Sequence, residues 1–246
     1  MLSTGVHEAT ENTLPPPLIQ VMPRQRWVDL GLVFLIGFVP LVTGAVYRLF
    51  VPIEPTQYST NYGFSTGLVH EVGVLVLWFT LFRRQNRSLN DIGLNFHWLD
   101  LPKGMGLFVL SFLASILVSY ATQYVHFFWT GSYLQFRDPQ TIFAGASTTL
   151  FVLYIIAAPI FEETLVRGYL MTELIGLSCP VWLAALASIA LQTSYHLYYG
   201  VAGALSVGGG FTVCAIYFAK SRRLMPVLLS HFLWDVAATY LTWHRS

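Results

Sequence analysis

Six side chains in the C-terminal half of the sequence could carry acid–base or hydrolytic chemistry. They are Glu162, Glu163 and Arg167 in one stretch, His196 in a second, and His231 with Asp235 in a third. Adjacent residues on a helix point about 100° apart, so Glu162 and Glu163 cannot share one direction. Arg167 follows Glu163 by four residues with the acid on the N-terminal side, the favourable order for an intrahelical ion pair. The simplest division pairs Glu163 with Arg167 and leaves Glu162 free to point into a cavity. His231 and Asp235, also four apart, project from the same helix face. Such a set could activate a water with a carboxylate and aim donors at the oxyanion formed when a peptide carbonyl is attacked. It could equally hold one divalent metal, such as zinc, on Glu162, His196, His231 and Asp235 with a coordination position open. A third use is a proton relay in a transporter. Spacing does not choose between no metal and one.

The elements that must position these residues are apolar. Of 246 residues, 55% are hydrophobic and only 10% charged, with a mean hydropathy of +0.59. Soluble domains average roughly 25% charged residues. Uncharged runs long enough to cross a ~30 Å hydrocarbon core recur along the chain. They predict spans over 28–50, 62–82, 104–129, 180–199, 200–219 and 226–243. A further stretch, 141–175, is too long for one straight crossing. Its sequence predicts a kink or break near Pro159 and an amphipathic continuation near the interface. The expected fold is therefore an all-α polytopic bundle of about seven spans, within six to eight. Charges at bilayer depth cost at least ~2.5 kcal/mol each, so the six residues are expected to satisfy one another around a cavity inside the membrane.

Residues 1–27 are polar and proline-containing and are expected to form a cytoplasmic tail. Arg24 and Arg26 lie there. Arg83, Arg84, Arg87 and Lys103 flank the second loop, and Lys220, Arg222 and Arg223 precede the last span; Arg48 and Arg137 are the exceptions. This asymmetry predicts a cytoplasmic N-terminus in a plasma or inner membrane. Leu89-Asn90-Asp91-Ile92-Gly93-Leu94 reads as an interfacial turn, and Gly208-Gly209-Gly210 as a close helix contact or bend. Cys179 and Cys214 form no CxxC spacing and read as packing residues. His70-Glu71 lacks the HExxH zinc spacing and reads as a structural polar pair or a cavity lining. A net charge of +1 gives a nucleic-acid partner no electrostatic support. No internal repeat is evident, which weakens the inverted-repeat transporter reading.

Glu162-Glu163-Thr164-Leu165-Val166-Arg167-Gly168-Tyr169 resembles the EExxxR motif of the CAAX-protease and bacteriocin-processing (CPBP, or Abi) intramembrane proteases. Tyr195-His196 resembles the end of that family's FxxxH motif, and His231 to Asp235 its HxxxN/D motif. The order and separations also match, over about 140–243. This makes 140–243 the expected catalytic core and 28–139 a set of N-terminal transmembrane helices. The resemblance implies a glutamate-dependent endopeptidase acting on membrane-bound protein or peptide substrates, lipidated ones included. It implies that Glu162 and His196 activate water, that His231 and Asp235 stabilise the oxyanion, and that Glu163 and Arg167 hold the geometry. Two positions depart from the pattern. Gln192 stands where the family has Phe, a packing position, and Asp235 where the prenyl endopeptidases have Asn, which would require a proton on Asp235 or an indirect role. A non-catalytic scaffold or bacteriocin self-immunity protein on the same fold is the competing expectation, beside the transporter. The sequence carries no sign of oligomeric state.

Overall fold

Proline decides where the first crossing bends. In a computed structural model, which describes residues 22–51, 57–134 and 147–243, the chain runs as α1 (Pro23–Gly37) and α2 (Val39–Phe50), joined at Phe38. Pro40 has no N–H to offer the Ile36 carbonyl, the partner it would have in an unbroken helix. His70 Nε2 donates to that carbonyl instead, at 3.0 Å. Phe38, 1% exposed, uses the bend to stack on Phe161 and reach Tyr195. Most of the expected tail, Arg137 and the predicted start of the fourth stretch at Thr141 lie outside the described residues.

α3 (Gln57–Arg84) leads through a 3-10 turn at Leu89–Ile92 into α4 (Asp100–Thr130). Ser88 and Asp91 cap that turn reciprocally. It is more than an interfacial turn. Ile92 is fully buried, and the Gly93 carbonyl accepts the Leu224 N–H at 2.9 Å. Gly93 has φ +75°, and a Cβ there would collide with the Arg222 carbonyl.

The fourth stretch corrects the sequence expectation. α5 (Thr148–Glu162) passes through Pro159 without a break and widens into a π-helical segment, Glu163–Met171, before closing as α6 (Thr172–Gly176). Every residue of the π segment is buried, so the continuation is interior and not an interfacial strip. It packs against α7 (Val181–Tyr195) and α8 (Gly200–Ser221). Wide π turns are frequent at functional sites.

α7 is also shorter than expected. Fifteen residues span about 22 Å at 1.5 Å each, less than the ~30 Å core. A 3-10 turn at Leu197–Tyr199 and Gly200, with φ +81°, then turn the chain into α8. His196 therefore sits at the C-terminal end of a helix too short to cross that core by itself. α9 (Met225–Trp243) completes the described chain. The triple glycine is a close contact: Gly209 meets Val118 and the Ala114 carbonyl, and Gly210 the Ser111 carbonyl, leaving α4 no room for a Cβ between.

All elements among the described residues are helical. Pro23–Phe50, Thr60–Arg84, Asp100–Thr130, Thr148–Gly176 and Leu197–Ser221 are each long and apolar enough to cross a membrane. Many of their large apolar side chains face outward, including Leu117, Phe128 and Val69, as lipid contact requires. The protein is an integral membrane protein with a helical-bundle fold. The basic loops gather at one end. There Glu173, fully buried, is held by Arg26 at 2.8 Å and by Arg87, while Arg223 grips Asp100 at 2.7 Å.

Candidate active site

Glu162 ends α5 and Glu163 opens the π segment, midway along the Thr148–Gly176 rod. The end of α7 supplies Gln192, Tyr195 and His196, α8 supplies Phe211, and α9 supplies His231 and Asp235.

Glu163 is the buried hub. Its Oε1 accepts from His231 Nδ1 at 2.7 Å, Arg167 Nη1 at 3.2 Å and Gln192 Nε2 at 3.4 Å. Arg167 and Glu163 are both fully buried, so the expected ion pair is present where its charges most need each other. Arg167 also donates to the Phe211 carbonyl at 3.3 Å and lies over the Phe211 ring. Because Glu163 accepts from Nδ1, the second ring nitrogen of His231 is left to face the site. Nε2 lies 4.0 Å from Glu162 Oε2 and 3.8 Å from Asp235 Oδ1.

Glu162 differs from its neighbour. Tyr195 Oη at 2.7 Å and Gln192 Nε2 at 3.0 Å both donate to its Oε2. Among the described residues Oε1 accepts no hydrogen bond, and 12% of the side chain remains exposed. His196 donates from Nδ1 to the Gln192 carbonyl at 2.8 Å, so Nδ1 is the ring nitrogen that is tied. Its ring lies among Tyr195, Tyr198, Tyr199 and Phe211. Phe211 touches both imidazoles, 5.2 Å from His196 and 5.1 Å from His231 between ring centroids.

The structure thus brings Glu162, Glu163, Arg167, His231 and Asp235 into one cluster, with His196 on its rim. The expected Glu163–Arg167 pair is present, and His231 is a second partner of Glu163. His231 bridges the two glutamates, Asp235 stands beside it at a longer distance, and His196 hydrogen-bonds Gln192 and not Glu162.

Three further residues join the six expected site residues. Gln192, which stands where the resembling family has a packing Phe, is a fully buried donor to both carboxylates. A lone amide in an apolar helix was the signal. Tyr195 fixes Glu162. Glu71, 3% exposed on α3, lies close enough to Glu162, Asp235 and Tyr154 to feel all three, so it faces this site while His70 turns to α1.

The donor chemistry of Glu162, His196, His231 and Asp235 would suit zinc, and each imidazole has its Nδ1 tied, as ligating histidines usually do. Yet among the described residues no three His, Cys, Asp or Glu side chains converge on a point that could hold a metal ion. The arrangement does not fit a bound metal without rearrangement.

Residues 144–237 match the family described as type II CAAX prenyl endopeptidase Rce1-like. No curated protein and no solved structure matches the chain. The matched segment contains every residue of the cluster from Glu162 to Asp235 and places this part of the chain in the CPBP, or CAAX-protease, family.

Proposed function

We propose that the protein is an intramembrane endopeptidase in which Glu162 activates a water against a peptide carbonyl of a membrane-associated substrate. The observation that carries this reading is the asymmetry of Glu162. One oxygen is fixed by two donors, and the other is unengaged beside an open edge of the site. A general base needs that combination of fixed orientation and a free lone pair within reach of water.

Glu162 Oε1 takes a proton from the water as its oxygen bonds to the carbonyl carbon. His196, its Nδ1 tied to the Gln192 carbonyl, holds the same water through Nε2. His231 in its imidazolium form donates from Nε2 to the oxyanion, while Nδ1 stays on Glu163. Asp235, 3.8 Å from that nitrogen, acts indirectly, through His231. Glu163 and Arg167 fix His231 against rotation. As the C–N bond breaks, the proton held by Glu162 passes to the leaving amine. Donors preset in a water-poor site stabilise developing charge better than solvent would.

Reconstitution in proteoliposomes with membrane-delivered peptides tests the reading. Glu162→Gln removes the base and keeps the shape, so it is expected to end cleavage while thermal unfolding in detergent is unchanged. Cleavage by that variant at the wild-type rate would refute the proposal.

A further inference from the structure

Gln192 donates a hydrogen bond to each of the two glutamates. Its Nε2 lies 3.0 Å from Glu162 Oε2 and 3.4 Å from Glu163 Oε1, and its backbone carbonyl accepts His196 Nδ1 at 2.8 Å. One residue on α7 therefore fixes the orientation of three groups contributed by α5, the π segment and the end of α7. Its side chain is fully buried, and its Oε1 has no partner among the described residues. An apolar residue of similar size would avoid leaving that oxygen unsatisfied, an arrangement that costs about 1–3 kcal/mol elsewhere. A packing role alone does not account for an amide here.

Two carboxylates on successive residues repel each other at short range. Arg167 neutralises Glu163, but it donates nothing to Glu162. The two Nε2 protons of Gln192 supply a hydrogen bond to each acid at once. On Glu162 they join the Tyr195 hydroxyl at the same oxygen, Oε2, which leaves Oε1 as the oxygen facing the open side.

We propose that Gln192 is a positioning residue that, with Tyr195, ties up Oε2 of Glu162 and so selects Oε1 as the working oxygen beside Glu163. The proposal rests on the endopeptidase reading for its kinetic consequence, but its chemical consequence can be read without turnover. Gln192→Leu keeps the volume and removes both donors. Gln192→Phe supplies the residue that the resembling family carries at this position. Gln192→Glu keeps the shape and replaces donors by a third carboxylate.

A hydrophobic carbodiimide attacks protonated carboxyl groups, and peptide mass spectrometry locates the adduct. At one neutral pH, dicyclohexylcarbodiimide should label Glu162 several-fold faster in Gln192→Leu and Gln192→Phe than in the wild type. Glu162→Gln serves as the blank. On a peptide that the wild type cleaves, both variants should lose about 10- to 100-fold in kcat, the range of a hydrogen bond to a charged group, with KM unchanged. Gln192→Glu should lose at least as much as Gln192→Leu. A purely structural role predicts instead that Gln192→Leu alters thermal stability while labelling and kcat stay at wild-type values. That result, or full activity in Gln192→Phe, would overturn the proposal. Should a variant fail to fold, the others carry the comparison. Faster labelling without any wild-type cleavage would uphold the positioning role and count against the protease reading alone.

Discussion

Arg167 is the residue on which the site's stability turns. It is fully buried, four residues from Glu163, and over the Phe211 ring. Removing one partner of such a pair strands the other charge and typically costs 3–5 kcal/mol. Arg167→Met is therefore expected to lower the melting temperature in detergent sharply. Arg167→Lys should recover only part of the loss, because an ammonium cannot reach Glu163 and the Phe211 carbonyl together. Wild-type melting in both variants would remove Arg167 from this role. Glu163→Gln is a milder change. It keeps an acceptor for His231 but leaves Arg167 without its counter-ion, so activity and stability should fall together. Glu162→Gln should lower activity alone. The sequence carried the Glu163–Arg167 pair in full, because a four-residue helical spacing is a local property. It did not carry the sharing of His231 between two glutamates, which depends on how α9 leans against the π segment.

Helix ends and bends show where local sequence rules reach and where they stop. Pro40 strips a donor from α2, and only the packed structure shows that His70, on another helix, replaces it. His70→Phe should cost about 1–3 kcal/mol through the orphaned Ile36 carbonyl. Pro40→Ala restores an N–H in the same helix. The double variant His70→Phe/Pro40→Ala should then be more stable than His70→Phe alone, a coupling that a double-mutant cycle measures directly. Additive effects would contradict the assignment. Gly93 poses a similar test at the junction of α8 and α9. With φ +75° and the Arg222 carbonyl against it, Gly93→Ala should destabilise by at least about 1–3 kcal/mol, read by thermal unfolding. Pro159 is the opposite case. Proline predicts a kink or a break, and α5 runs on through it without a break before the chain changes pitch a few residues later. Tertiary packing around the buried π segment outweighs the local signal there.

At the scale of the whole molecule, the apolar runs made the helical bundle legible, because lipid demands long helices with internally satisfied backbones; among the described residues, five of the seven expected spans are long and apolar enough to cross. The depth of the site was less so. The site sits midway along the Thr148–Gly176 helix and at the end of a short α7, and an apolar run does not announce where its helix ends. Arg26, Arg87, Arg222 and Arg223 converge at one end of the bundle, around Glu173, Thr172 and Asp100. We propose that this end faces the cytoplasm, following the distribution of basic residues. With Cys179 and Cys214 replaced, Lys103→Cys should react with a membrane-impermeant thiol reagent from the cytoplasmic side only, and Trp129→Cys from the opposite side only. The reverse pattern would invert the topology.

The central claim is that Glu162 is the base of a hydrolytic reaction inside the bilayer. The most direct measurement is the ratio of cleavage rates for wild type and Glu162→Gln on one membrane-delivered peptide, in matched proteoliposomes, with equal melting temperatures. A general base contributes about 100- to 10,000-fold, so the account predicts a loss in that range with the fold intact. A rate within a few-fold of the wild type, from a variant that melts normally, would contradict it.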